Sequence, residues 1–197
     1  TWEYDGVNWT QVTTASSPSA RYYHTMVYDS VRGKVVMFGG RIGNNGYVND
    51  TWEYDAPPLI ATATIYGTGC GTPALDFTPT SNPIIGTSAA GLIANAPTSV
   101  GGVAMGFSDS HLGSLPILPL SLAFIGMPGC QLWHSNDVFG LVATSSAPGT
   151  LDFSYPIPFN VNLVGTHVYV QAYCVAPSAN PLPIIASNGI DWLIGNQ

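Results

Sequence analysis

The sequence predicts an all-β chain in two parts, and three observations carry that expectation. The five-residue word Thr-Trp-Glu-Tyr-Asp stands at residues 1–5 and again at 51–55, so one period of about 50 residues is present. Elsewhere the apolar residues alternate or form short runs broken by Pro and Gly. No 3.6-residue stripe survives, so no helix is predicted. Composition then changes at Ala56-Pro57-Pro58, which sets the parts as residues 1–56 and 57–197.

In the first part, strand-like segments come in order. Arg21-Tyr22-Tyr23-His24-Thr25-Met26-Val27-Tyr28-Asp29 leads to a turn at Arg32-Gly33 and then to Lys34-Val35-Val36-Met37-Phe38-Gly39-Gly40. Asn45-Gly46 is a strong hairpin signal, followed by the second copy of the word from Asn49 to Asp55. This pattern closely resembles a kelch repeat of the bacterial secreted kind, with a double glycine after a hydrophobic strand and spaced Tyr and Trp. The resemblance implies a propeller blade, a four-stranded sheet whose two faces pack on neighbouring blades. A single blade leaves both faces wet, and repeat folds need several units for stability. The chain opens in mid-pattern with no Met and no apolar signal segment. The expectation is that residue 1 is not the start of a gene product. Either a longer propeller precedes it, or processing has left an orphan blade that packs on something else.

In the second part, strands are expected near 59–67, 73–79, 100–107, 117–125, 130–134, 138–145, 149–155, 166–176, 183–187 and 190–195. Many short strands at nearly regular spacing predict an antiparallel β-sandwich. Tyr66-Gly67-Thr68-Gly69-Cys70, Met105-Gly106-Phe107-Ser108, Leu115-Pro116, Pro128-Gly129-Cys130, Tyr155-Pro156-Ile157-Pro158, Gln171-Ala172 and Ser187-Asn188-Gly189 follow in that order. This series resembles a small C-terminal β domain of secreted proteins from planctomycetes and related bacteria, often found behind kelch or other repeats. The resemblance covers most of residues 60–195 and implies location and architecture rather than chemistry. The end at Ile194-Gly195-Asn196-Gln197 is similar to that domain's usual finish, which suggests a natural C-terminus.

Three cysteines are present. Cys70 and Cys130 sit beside glycine and turn residues, at the Gly-Cys positions of the resembled domain, and are expected to form a disulfide. Such a bridge implies an oxidising compartment. Cys174, in an alternating strand, is the odd one: either a buried small apolar residue or an interchain link.

Charge excludes some partners. Hydrophobic residues make up 46% of the chain and charged residues 8%, against the roughly 25% that is usual. All four basic residues, Arg21, Arg32, Lys34 and Arg41, lie in the first part, and the net charge is −7. Phosphate neutralisation by Lys and Arg supplies the affinity of nucleic-acid binding, so no nucleic-acid partner is expected. Polybasic attachment to anionic lipids is disfavoured for the same reason, and no apolar run is long enough for a spanning helix, so no membrane insertion is expected.

Catalytic chemistry finds little support. His24, His111, His134 and His167 occur singly, and Asp109 with His111 and His134 with Asp137 are the local acid–His pairs. Such doublets could serve a metal or acid–base chemistry, but loop polar groups bonded to backbone are the ordinary reading. No phosphate loop, dinucleotide fingerprint or Gly-x-Ser-x-Gly elbow is present. The copper, paired histidines and Tyr–Cys crosslink of galactose-oxidase-like propellers find no counterpart in residues 1–56, which hold one histidine and no cysteine. No catalytic, cofactor or metal residue is assigned. Trp2, Tyr4, Trp9, Tyr22, Tyr23, Tyr28, Trp52 and Tyr54 could stack on sugars, though the repeated positions of Trp2/Trp52 and Tyr4/Tyr54 argue for repeat packing. Trp133 and Trp192 are placed in a core or at a seam.

These readings converge on a non-enzymatic structural or adhesive protein, extracellular or at the cell surface, self-assembling into a fibre or surface layer. Trp52, Trp192 and Cys174 are its candidate assembly contacts. The alternative is a glycan- or protein-binding module, facing a glycan or a cell-surface protein, at the C-terminal end of a longer secreted kelch propeller. Third stands the C-terminal part of a secreted enzyme whose active site lies upstream.

Overall fold

The computed structural model describes all residues except 5–7, 30, 31, 45, 56 and 57, and only the backbone of Ser146. Asp5 of the repeated word, Asn45 of the hairpin signal and Ala56-Pro57 of the seam therefore lie outside the described residues. The described chain is all-β, with antiparallel sheets, none of them closed, and without an α-helix. It divides into two compact units, Thr1–Pro57 and Pro58–Gln197.

In the first unit β1 (Trp2–Tyr4) pairs with β2 (Trp9–Gln11) as a separate ribbon. Strands β3 (Thr25–Asp29), β4 (Lys34–Arg41) and β5 (Tyr47–Asp55) form a three-stranded meander. The resemblance implied four strands in one sheet; the described residues give three and two. Glu3 of the ribbon accepts a 2.6 Å hydrogen bond from the Tyr54 hydroxyl of the meander. At Gly39-Gly40 the β4–β5 register shifts, and both glycines hold positive φ. A Cβ on Gly40 would lie 3.0 Å from the Tyr22 carbonyl oxygen. Strand period and β-branched content thus build the sheet, and the glycines bend its end. Packing is what this unit lacks. Among its described residues no apolar side chain is buried, and the first buried apolar residue along the chain is Ala61.

The second unit has a core. Its larger sheet runs in the order β12 (Val138–Val142), β9 (Gly101–Gly106), β15 (His167–Val175), β16 (Ile184–Leu193), β6 (Thr62–Tyr66). The smaller runs β13 (Thr144–Ala147), β14 (Thr150–Pro156), β8 (Ser88–Ala94), β7 (Asp76–Pro79). A short hairpin, β10 (Leu120–Ser121) with β11 (Gln131–Leu132), completes it. Val103, Val170, Ile190 and Trp192 from the larger sheet share one core with Phe77, Ile93, Leu151 and Phe153 from the smaller. Phe153 stacks on Trp192 at 6.3 Å between ring centroids, and Phe77 meets Phe153 edge-on at 6.1 Å. Burying such side chains stabilises by about 1.5–3 kcal/mol each relative to exposure.

Four strand expectations need correction. The span expected at 138–145 divides into β12 and β13, which belong to different sheets. Strand β8 was not expected, because Ser-Ala-Ala-Gly-Leu-Ile-Ala has weak β-propensity; it is held as a central strand between β14 and β7. Its Gly91 leaves room for the Phe77 ring, which an added Cβ would meet at 2.4 Å. The span expected at 117–125 shrinks to Leu120–Ser121, followed by a 3-10 turn at Ala123–Ile125. The two spans expected at 183–187 and 190–195 are one strand, β16, running through Ser187-Asn188-Gly189. That triplet has turn composition, but its polar groups are satisfied inside. Asn188 accepts from the Phe77 backbone N–H and donates to the Phe77 carbonyl, both at 2.8 Å. One buried amide thereby replaces ladder partners and joins the two sheets.

Candidate functional site

Strand register sorts the meander of the first unit into two different faces. Met26, Met37 and Trp52 lie in one cross-strand row, and Tyr28, Val35 and Tyr54 in the next on the same side. The opposite side is mixed: it carries Val27, Val36 and Phe38 together with Asp29, Lys34, Glu53 and Asp55, with Arg32 bonded to Asp29 and Glu53 and Lys34 to Glu53 and Asp55. Trp52, half-buried, thus closes one row of an apolar face on the edge strand β5. Its indole N–H donates to Asp50 at 2.7 Å. Arg21, which also pairs with Asp50, and then the indole hold that carboxyl well below the usual range. The aromatic edge is therefore pinned in place.

The other two candidate assembly contacts are corrected. Trp192 is 1% exposed and lies in the core of the second unit, so a folded unit cannot present it to a partner. Cys174 is buried as well, its Sγ 3.3 Å from the Val100 carbonyl oxygen, so of its two readings the apolar one holds and the interchain link does not. Cys70 and Cys130 form a disulfide with their Cα atoms 5.0 Å apart. It ties the loop after β6 to the segment just before β11.

The local acid–His pairs do not assemble as chemistry. His134 is fully buried with Nδ1 at the Ser135 carbonyl oxygen, whereas Asp137 takes the Ser135 hydroxyl at 2.6 Å and the Phe107 N–H at 2.9 Å. His111 turns its Nδ1 to the Ser110 hydroxyl at 3.0 Å. Among the described residues no three His, Cys, Asp or Glu side chains gather as a metal site. An acid–His pair that inspection of neighbours could not find is His167 with Asp191, 2.8 Å apart across β15 and β16. Only strand register brings these two together. Beside the uncharged edge strand β12, Phe139, Val142, Tyr173, Val175 and Ile184 line an apolar groove of about 220 Å³.

Burial pushes the His134 imidazole below its ordinary pKa, against the opposing pull of the Ser135 carbonyl and Asp137. The unfolded chain then takes up a proton that the folded unit refuses. Stability is complete above about pH 6.5 and falls as the pH drops below it, by up to about 1.4 kcal/mol per pH unit. Melting the second unit from pH 8 to pH 5 should show this decline, and His134→Asn should flatten it. A slope unchanged in the variant would assign the acid sensitivity to another group.

No family model, curated protein or solved structure matches this chain. No helix among the described residues is long and apolar enough to cross a membrane.

Proposed function

We propose that this is a non-enzymatic extracellular structural or adhesive protein, a kelch-type blade carried with a disulfide-bridged β-sandwich, which self-associates through the blade. The observation behind this reading is the apolar face of Met26, Tyr28, Val35, Met37, Trp52 and Tyr54 on a unit that buries no apolar side chain among its described residues. Met26 is 58% exposed and Tyr28 49% exposed. Contiguous exposed apolar patches of this kind mark interaction surfaces. A second copy is the natural cover, because like blades present like faces and repeat units borrow their core from neighbours. The disulfide supports an oxidising, extracellular setting. With charged residues at 8% of the chain, the contacts are apolar and should survive high salt.

Trp52→Glu tests this. In sedimentation velocity the wild-type chain should associate with rising concentration, at low salt and at about 1 M salt alike. Trp52→Glu should stay monomeric while the second unit melts as before. An association that persists in the variant, or that modest salt alone disperses, would sink the proposal. The alternative of a binding module finds its support in a different part of the first unit, around Arg41.

A further inference from the structure

Just past the double glycine, three strand segments meet in one row. Arg41 exchanges backbone hydrogen bonds with Tyr22 at 2.7 and 3.1 Å and stands opposite Tyr47 in the β4–β5 ladder. Residues in one row project to the same side of a sheet. The Arg41 guanidinium accordingly sits between two rings, 6.0 Å from the Tyr22 centroid and 5.9 Å from that of Tyr47, within cation–π range. Both tyrosines are exposed, Tyr47 at 76%.

Arg41 differs from the other basic residues. Arg21 pairs with Asp50, Arg32 with Asp29 and Glu53, and Lys34 with Glu53 and Asp55. Arg41 has no acidic partner among the described residues, and its buried Nε has no hydrogen-bond partner there. In a chain with net charge −7, an arginine left without a carboxylate is conspicuous on chemical grounds. Guanidinium presents a planar donor fork matched to carboxylate. Next to it, Tyr23 is 79% exposed and holds φ +59°, a left-handed conformation unfavourable to a bulky side chain. Its ring meets Tyr22 at 5.0 Å. Strain of this sort is retained where the surroundings dictate it, and often at binding sites.

We propose that Tyr22, Tyr23, Arg41 and Tyr47 form a binding site for an acidic carbohydrate, with Arg41 taking the carboxylate of a uronic acid residue and the tyrosines packing on the sugar rings. Two exposed rings flanking one guanidinium, with a third exposed ring against one of them, favour a sugar over an acidic peptide, whose aliphatic Asp and Glu side chains give aromatic rings nothing broad to cover. The site does not depend on self-association through the Trp52 face, since Trp52→Glu leaves these residues intact.

The experiment is a calorimetric titration of the full chain with oligomers of galacturonate, glucuronate and mannuronate, with the methyl ester of the binding oligomer, and with an oligoglutamate peptide. At least one uronate oligomer should bind, its neutral ester about tenfold or more weaker, and binding should weaken with salt. Arg41→Gln should lose about tenfold or more in affinity. Tyr47→Ala, at an exposed position, should also weaken binding, and far-UV circular dichroism checks that both variants keep the sheet. No binding by any uronate oligomer, an ester that binds as well as the acid, or affinity unchanged in both variants would each overturn the proposal. Preference for the oligoglutamate would overturn the carbohydrate assignment.

Discussion

Trp192→Ala is expected to lower the stability of the second unit by about 3–5 kcal/mol, the range for removing a large aromatic side chain from a packed core. Trp192 is 1% exposed and stacks on Phe153 across the two sheets, so the residues around it can close the resulting cavity only in part. A loss of that size is comparable with the whole stability of many domains. Chemical denaturation followed by near-UV circular dichroism should therefore show the second unit unfolded or nearly so. Trp192→Phe provides the contrast. It keeps an aromatic ring against Phe153 and removes an indole N–H that has no hydrogen-bond partner among the described residues. Its loss should be much smaller, because an orphan buried donor disappears along with part of the ring. Equal losses in the two variants would mean that the stack is not what holds the sheets together.

Reduction of the Cys70–Cys130 bridge should cost the second unit about 4 kcal/mol, the chain-entropy value for a loop of about 60 residues. The bridge is 1% exposed at Cys130 and 7% at Cys70, so native protein should resist mild reductant and yield only after partial unfolding. Cys70 also receives the Ala186 backbone N–H at its sulfur, and its own N–H bonds to the Ala186 carbonyl. Thus the bridge anchors the β10–β11 hairpin to strand β16, and Cys70→Ala with Cys130→Ala should release the hairpin first. Thiol counting gives a sharp check. Native protein should label at no cysteine, denatured protein at Cys174 alone, and denatured, reduced protein at all three. Labelling of Cys174 in the native state would contradict its burial.

Alternation, β-branched runs and frequent Pro and Gly leave room for strands and no α-helix, so the secondary-structure class was legible in local pattern alone. The sequence also marked the change in composition beside Pro57, where the chain divides into its two compact units. The apolar face around Trp52 was legible because the repeated word places Trp and Tyr at alternating positions of β5, and alternation is local. What local pattern could not reach was decided by pairing between distant segments. Strand β8 exists because β14 and β7 flank it, and β16 continues through a turn-like triplet because Asn188 satisfies the backbone of Phe77 on the other sheet. Trp192 and Trp52 are the same residue type in similar alternating strands, yet one lies in a core and the other on a face. Composition reads identically for both. The Arg41 row and the His167–Asp191 pair likewise arise from register, which brings Tyr22 and Tyr47 to either side of Arg41 and sets His167 beside Asp191. Side-chain period is encoded within a strand, whereas the partner opposite each side chain is set only when whole strands align, and it is that alignment which decides what is buried, what is paired and what is left open to a ligand.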